Sequence, residues 1–383
     1  MKRIVILFCL SVFVACKTQA PIIPVALVAV KNIQQSGLEE FFEFSHYIVL
    51  STPDTLPIGS VNKLQIKNGN LFLTDRKTQQ AFVFDSEGNM RTILNHTGRA
   101  GNEYIELTDL ETGQRDGKDI LCVYDGKAGK ILHYSIDGKI CLSTEPATPG
   151  IAFKFVNDHI AINNGNGWAK DNYVYHLYDK GESIYEAIPF DQALRGYLFS
   201  GEEGKSVFYE YGGISYMSTY SDDIVYKIDP GNGEIHPLIK FDFGKKFRPK
   251  SYSRNFIDAM MHGDIPSFPN CFYDFGDSYL IRYSYANKPY VTIVSTTGQV
   301  IYNGVLGKDK NGLPFLPIPY YDSDSSGFLI SMLRSDYLET FLKLNKSKNA
   351  DTTLIEEIMG RTDDGIILMF YKPVIRSSKS TTP

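Results

Sequence analysis

The stretch LQIKNGNLFLTDRKTQQAFVFDSEGNMRTIL, residues Leu64–Leu94, contains four short apolar segments separated by polar turns. In LQIK, apolar residues alternate with polar ones, as in a strand with one buried face, and LFLTD is a second short strand-like segment. Asn68-Gly69 between them favours a tight hairpin turn, and Gly88 can adopt the positive φ that many turns need. AFVFD and MRTIL add two more strands. The stretch therefore predicts a four-stranded antiparallel meander, or one blade of a β-propeller.

Weaker copies of this unit recur along the chain. Six segments match its second strand: LFLTD (71–75), ILCVYD (120–125), HIAINN (159–164), GISYMSTY (213–220), YLIRYSY (279–285) and GFLISML (327–333). The turn after the third strand also recurs, with a spacing near the roughly 40–50 residues of propeller repeats and one longer interval. A lone meander cannot bury both faces. The repeats therefore predict an all-β fold, a six-bladed β-propeller of four-stranded antiparallel blades.

Clear strands lie near both chain ends, HYIVLST (46–52) and GIILMFYK (365–372). Propellers commonly close by completing one blade with strands from both ends, which removes free edges. We therefore expect both strands in blade six, with HYIVLST outermost. A few short helices are expected in insertions: about 254–262, capped by Ser253, and SDYLETFLKLN (335–345) and DTTLIEEIMG (351–360) in the last blade.

The first sixteen residues, MKRIVILFCLSVFVAC, have a short positive start and a twelve-residue apolar run. This run is too short for a spanning helix but suits a signal peptide. Its end, Phe13-Val14-Ala15-Cys16, resembles a bacterial lipobox, with Phe13 in place of the usual leucine. The resemblance implies that Cys16 is diacylated and tethers the protein to a membrane. An uncleaved anchor, or an ordinary signal with a chance cysteine, stays open as an alternative.

We divide the chain into a signal peptide (1–16), a tether (17–45), a propeller (46–376) and a tail (377–383). Two prolines interrupt PIIPVALVAV in the tether, which favours a short strand over a helix. No acidic cluster follows Cys16, so the periplasmic and surface faces of the outer membrane stay open.

The loop between the first two blades reads Gly98-Arg99-Ala100-Gly101-Asn102-Glu103-Tyr104. It is similar to the Gly-x-Gly-Pro-Gly-Glu-Tyr-like loop of six-bladed propeller lipoproteins of the Bacteroidetes, distant cousins of NHL-repeat propellers. Ala100 and Asn102 depart from that pattern. The resemblance covers nearly the whole chain and implies a propeller in the cell envelope, without a single activity.

Composition and motifs give little support for catalysis. The 383-residue chain has a net charge of −5, which gives no reason to expect nucleic-acid binding. No G-x-S-x-G motif is present, and the remaining cysteines have no local signature. Cys122 and Cys141 are predicted two strands apart, too far for a disulfide. We interpret these two and Cys271 as small buried apolar residues.

No metal or other cofactor is predicted. The seven histidines form no H-E-x-x-H-like cluster. His133 and His176 occupy matching third-strand positions, away from the channel, which favours packing between blades two and three. The turn aspartates, such as Asp85 and Asp229, are expected to accept backbone hydrogen bonds and not to bind calcium.

Four residues are candidates for ligand binding. Arg99 and Glu103 flank the first interblade loop, although they could instead fix that loop. Trp168, the single tryptophan, lies in a polar loop and suits stacking on a ring or sugar face, with buried packing as the alternative. Arg282 alternates with aromatic residues and could face a polar cleft.

Together these features predict a lipid-anchored envelope propeller that binds a peptide, glycan or protein partner. The alternative is a lactonase- or lyase-like propeller enzyme with a polar site over the central channel.

Overall fold

The fold is that of a six-bladed β-propeller. The computed structural model describes residues 23–53, 55–165, 172–194, 207–219, 222–248, 253–309, 313, 315, 321–323, 327–346, 353–361 and 365–374. These residues form six sheets around one centre, which confirms the predicted fold.

The strands follow one another as consecutive antiparallel hairpins within each blade. Two strands come first, β1 (Val25–Leu27) and β2 (Phe42–Leu50). Blade one contains β3 (Val61–Lys67), β4 (Asn70–Asp75), β5 (Gln80–Asp85) and β6 (Met90–Leu94). Blade two contains β7 (Asp109–Arg115), β8 (Lys118–Asp125), β9 (Lys130–Ser135) and β10 (Cys141–Pro146). Blade three contains β11 (Ala152–Val156), β12 (His159–Asn163), β13 (Tyr173–Asp179) and β14 (Glu182–Pro189).

The second half of the ring follows the same scheme until its last blade. Blade four contains β15 (Phe208–Tyr211), β16 (Ile214–Ser218), β17 (Ile224–Ile228) and β18 (Ile235–Asp242). Blade five contains β19 (Cys271–Asp274), β20 (Ser278–Tyr285), β21 (Lys288–Ser295) and β22 (Val300–Val305). The remaining strands are β23 (Tyr321–Ser323), β24 (Leu329–Arg334) and β25 (Ile366–Pro373).

The first strand of each complete blade lies innermost. Strands β3, β7, β11, β15 and β19 contact one another in ring order, and each blade then extends outward through its second, third and fourth strands. Five of the six predicted second-strand segments lie on the second strands of blades one to five, and the sixth, GFLISML, lies on β24, which is the inner edge strand of the described blade-six sheet. This order places the side chains of the first strands around the central channel.

Blade six closes the ring as expected. Strand β2 pairs antiparallel with β25, which pairs with β24, so β2 is the outermost strand. Strand β23 hydrogen-bonds in parallel with β3 of blade one instead of with β24. In the described part of the chain, the sheet of blade six therefore has three strands.

Glycine at position 88 allows the closing strand to approach blade one. Gly88 has φ +88°, and a Cβ there would lie 2.1 Å from the carbonyl oxygen of Val49 on β2. The carbonyl of Gly88 accepts a hydrogen bond of 3.0 Å from the backbone N–H of Ser51. The turn residue seen in the sequence thus also serves the contact between blades one and six.

The segment predicted as a tether packs on the propeller from residue 23 onward. Strand β1 adds in parallel to the outer edge of β18, and Ala26 is fully buried there. Further on, the backbone N–H of Gln34 bonds the carbonyl of Asn303 in blade five. The short strand expected from the proline-interrupted sequence is therefore present and covers the edge of blade four. Residues 17–22 lie outside the described residues.

Three α-helices lie in the insertions of the described chain: α1 (Arg254–Met261), α2 (Ser335–Lys346) and α3 (Thr353–Met359). The Ser253 hydroxyl caps α1 by accepting the N–H of Phe256 at 3.2 Å. Helices α2 and α3 separate β24 from β25, in place of a hairpin. None of the helices in the described ranges is long and apolar enough to cross a membrane.

Candidate functional site

Five charged residues from the first strands of blades one to four meet in the channel region. They come from four different blades: Lys63 (β3), Asp109 and Glu111 (β7), Lys154 (β11) and Glu210 (β15). Each interrupts an otherwise largely apolar or uncharged first strand, in VNKLQIK, DLETGQR, AFKFV and FYEY. We call these five residues the channel network.

The first half of the channel network joins blades one and two. The Lys63 ammonium lies 3.2 Å from Asp109 Oδ1 and 3.3 Å from Glu111 Oε2. The Gln65 side chain adds two contacts, donating to Glu111 Oε2 at 3.4 Å and accepting the backbone N–H of Thr112 at 3.0 Å. All these groups are buried, and a buried charge is costly unless it is paired. Here each charged group lies next to a group of opposite charge on the neighbouring blade.

The second half joins blades two, three and four. The Lys154 ammonium lies 3.0 Å from Glu111 Oε1 and 2.6 Å from Glu210 Oε2. The Lys154 side chain is 2% exposed, whereas that of Glu210 is 24% exposed. The network therefore runs from a fully buried interior to one carboxylate that still reaches solvent.

Burial and neighbouring charges act in opposite directions on the two central acids. Burial raises the pKa of Asp109, and the nearby Lys63 only partly opposes this. Burial would also raise the pKa of Glu111, but the ammonium groups of Lys154 and Lys63 lower that pKa below its ordinary value. Glu111 is thus the ionised centre of the network, and Asp109 is the first of the two acids to take up a proton as pH falls.

The channel network is built for structure more than for metal chemistry. Each carboxylate of the network has a lysine ammonium within 3.3 Å, so a divalent cation would have to displace a lysine to bind there. Across the ranges that the structure describes, no group of three or more His, Cys, Asp or Glu residues could hold a metal ion. What the network does supply is charge pairing between successive blades.

A groove with a volume of about 550 Å³ opens between blades two and three. We call it the interblade groove. Phe155, Ile160 and Tyr178 of blade three contribute apolar surface to it, and His133 and Glu145 of blade two line the opposite side. A concave site of this size, lined by aromatic, aliphatic and polar side chains, has room for a small ligand.

One side of this groove contains a Cys–His–Glu arrangement. His133 Nε2 lies 2.9 Å from Glu145 Oε1, and His133 Nδ1 lies 3.8 Å from the Cys122 sulfur. The order resembles nucleophile, base and orienting acid. However, Cys122 is fully buried behind the histidine, and burial raises the pKa of its thiol well above the ordinary value. Cys122 is therefore held as a neutral thiol, which does not suit a nucleophile.

The structure also describes the histidines, cysteines and turn aspartates that the sequence analysis interpreted as structural. His133 and His176 are buried between blades two and three, as predicted. Cys122, Cys141 and Cys271 are free thiols, and Cys122 and Cys271 are buried as predicted, whereas Cys141 on the outermost strand of blade two is only half-buried. The carboxylate of Asp85 accepts the N–H groups of Glu87 and Asn89.

Of the predicted binding residues, Glu103 serves its own loop. Its carboxylate accepts the N–H of Ala100 at 2.8 Å, and its backbone N–H bonds the Ala100 carbonyl at 3.1 Å. A Cβ at Gly98 would lie 1.9 Å from this carboxylate, so the glycine makes room for it. Arg99 is exposed beside this turn. The contacts of Glu103 are therefore those expected if this residue fixes the loop, which was the alternative to ligand binding.

Of the other predicted residues, the structure describes only Arg282. Arg282 is on β20 of blade five, opposite Cys271 in the sheet, and is half-buried. Trp168 and Cys16 lie outside the described residues. The structure thus does not bring Arg282 together with the Arg99 loop, which joins blades one and two.

Sequence reasoning missed both the channel network and the interblade groove. The available signal for the network was a charged residue inside each of four first strands. That signal alone does not say which charges meet. For the groove, the only sequence signal was His133, which we interpreted as a residue that packs between blades two and three.

Comparison with known proteins places the chain in a family without an assigned activity. A family model described as "Domain of unknown function (DUF4934)" matches residues 20–372. No curated protein matches the sequence.

Among solved structures, a protein of Bacteroides fragilis NCTC 9343, named as a candidate exported protein, is similar with TM-score 0.69 and 16% identity, covering 92% of this chain and all of that one. A member of the DUF4221 family from Bacteroides vulgatus ATCC 8482 has TM-score 0.52 and 10% identity, covering 88% of this chain and 98% of that one. At these identities the likeness shows the fold alone.

Proposed function

The chain belongs to the DUF4934 family, and on this premise we propose that it is an exported, lipid-anchored propeller of the cell envelope that binds a peptide, glycan or protein partner. The proposal includes membership of the NHL-like propeller lipoproteins that the sequence resembles. It is supported by the apolar N-terminal run ending at Cys16 and by the similar Bacteroides fragilis structure, which is itself named as a candidate exported protein.

The observation that carries the binding role is the interblade groove. Its walls belong to two blades whose first strands are joined by the channel network, so the groove is held on a rigid scaffold. Rigid walls reduce the entropy that a ligand-binding site loses when the ligand binds. Hydrogen-bonding groups on both walls can fix the orientation of a partner.

The alternative, a lactonase- or lyase-like enzyme over the channel, has less support. Such a site needs carboxylates that are free to bind a metal or to exchange protons with a substrate. The described channel acids Asp109 and Glu111 are instead buried and paired with lysines.

The proposed function is tested by affinity capture from envelope extract, with the full chain held in detergent as bait and an unrelated lipid-anchored protein as control bait. We expect a specific partner to be enriched and to form a stoichiometric complex with the purified chain in size-exclusion chromatography. Enrichment no greater than with the control bait would contradict the binding role. A stoichiometric, tightly held divalent ion in the purified chain would favour the enzyme instead.

A further inference from the structure

The interblade groove has an apolar lining with aromatic rings held in place. Phe155 is half-buried and leans over Gly113, where a Cβ would lie 3.3 Å from the ring. The Tyr178 hydroxyl accepts a hydrogen bond of 2.6 Å from Thr148 Oγ1, which links the two walls and fixes the tyrosine ring. Ile160 continues this apolar lining. The groove therefore presents fixed ring surfaces next to aliphatic ones.

The rest of the groove lining is polar and carries both signs of charge. Glu145 and Asp158 supply carboxylates, Lys180 supplies an ammonium group, and His133 lies against Glu145. The Gln114 amide lies on the same side as His133. Both hydrogen-bond donors and acceptors are thus present around the apolar lining.

The charge balance of the groove favours a neutral ligand. An anionic ligand would face Glu145 and Asp158, and a strongly cationic one would face Lys180. In either case the charged ligand would lose its hydration next to groups of its own sign as well as groups of opposite sign, so the net gain in binding free energy would be small. A ligand that is rich in hydroxyl groups can instead exchange hydrogen bonds with carboxylate, amide and ammonium groups without carrying charge itself.

We propose that the interblade groove binds a short neutral saccharide. The C–H faces of its sugar rings would pack on Phe155 and Tyr178, and its hydroxyl groups would bond Glu145, Asp158 and Lys180. This assignment rests on the proposed binding function and specifies its ligand class and site. The volume of about 550 Å³ lies within the range of pockets that enclose small ligands.

The test uses saturation-transfer NMR with the full chain in detergent. The probes are maltotriose, cellotriose, mannotriose and tri-N-acetylchitotriose, all uncharged, with a sulfated heparin tetrasaccharide and trilysine as charged comparisons. We expect at least one neutral trisaccharide to bind with a Kd of about 1 mM or below, and more tightly than either charged probe.

Variants then locate the site. Phe155→Ala should weaken binding about five- to tenfold, because one ring face is lost. Tyr178→Ala removes the second ring and should also weaken binding. Glu145→Gln keeps its shape and should weaken binding about threefold or more, since a hydrogen bond to a charged group is lost. The matched control is Ile301→Ala, an exposed apolar position on β22 of blade five, which should bind as the unchanged chain does.

Several results would overturn the inference. The first is the failure of every neutral probe to bind at about the millimolar level. The second is preferential binding of a charged probe. The third is binding that neither Phe155→Ala nor Glu145→Gln weakens, although both variants keep the circular dichroism of the parent. If affinity capture from the envelope succeeds equally with Phe155→Ala as bait, the groove assignment fails and the binding function stands. If neither capture nor saccharide binding is seen, both fail.

Discussion

The Lys154 ammonium of blade three lies 3.0 Å from Glu111 Oε1 of blade two, and the two residues are 43 positions apart in the sequence. Both side chains are almost completely buried. A second carboxylate, Glu210 of blade four, lies 2.6 Å from the same ammonium. One lysine thus holds the first strands of three successive blades.

Replacing this lysine should destabilise the ring strongly. Lys154→Met leaves two carboxylates facing each other with one cation fewer, and removing one partner of a buried pair costs about 3–5 kcal/mol. We expect the free energy of unfolding in urea to fall by this amount. The control is Lys139→Met, which breaks the exposed pair with Asp137 and should change stability by about 0.5 kcal/mol or less. Equal losses in the two variants would show that the network does not hold the blades together.

The loop between blades one and two should show coupling between Gly98 and Glu103. Glu103→Ala removes a hydrogen bond to the Ala100 N–H and should cost about 1 kcal/mol. Gly98→Ala places a methyl group where that carboxylate lies, so it should displace the carboxylate and lose the same bond. The double variant should therefore cost clearly less than the sum of the two single variants in urea unfolding. Simple additivity would contradict this geometry.

Asp222 should make stability depend on pH. Burial raises the pKa of Asp222 from 3.8 to about 6, although its bond from the Tyr226 hydroxyl opposes the shift. The folded chain therefore binds this proton more tightly than the unfolded chain, and the stabilisation is lost as pH rises through about 6. Asp222→Asn should be more stable than the parent at pH 7.5, by about 1–3 kcal/mol. The difference should shrink as pH falls towards 4. A difference that is constant across this pH range would contradict the raised pKa.

The three described cysteines should differ in reactivity. Burial raises the pKa of the Cys271 thiol to about 12 and that of Cys122 well above its ordinary value, whereas Cys141 is only half-buried. Iodoacetamide should therefore modify Cys141 first under native conditions, and all three at similar rates in urea. Peptide mass spectrometry measures each site. Early labelling of Cys122 would mean that the Cys–His–Glu arrangement is open to reagents after all.

Lipidation at Cys16 has a direct test. In a Gram-negative host, the parent should incorporate radioactive palmitate and fractionate with membranes. Cys16→Ser should lose both, because a serine has no thiol to acylate. Cys9→Ser, which removes the other cysteine of the N-terminal run, is the matched control and should retain both. Membrane association without palmitate would favour an uncleaved anchor.

Much of the fold follows from local sequence. Alternating apolar residues identify strands, and Asn-Gly and Gly-containing turns identify hairpins, because these conformations depend on near neighbours. The cap at Ser253 and the turn bonds of Asp85 were predictable for the same reason. Even the pairing of β2 with β25 could be predicted, because a ring of blades has to bury its free edges.

The channel network and the interblade groove depend on contacts between distant segments, which local sequence preferences do not predict. Strand periodicity says that Lys63 and Glu111 lie on one face of their strands, but it does not say that residues 48 positions apart will meet. The irregular sixth blade is similar, since β23 pairs with β3 of blade one across the closure of the ring. Sequence by itself determined the strands, the turns and the number of blades, since these rest on short-range preferences and on hiding apolar faces. Only the closed ring decided which buried charges neutralise one another and where two blades part to leave a groove, because both depend on packing between distant segments.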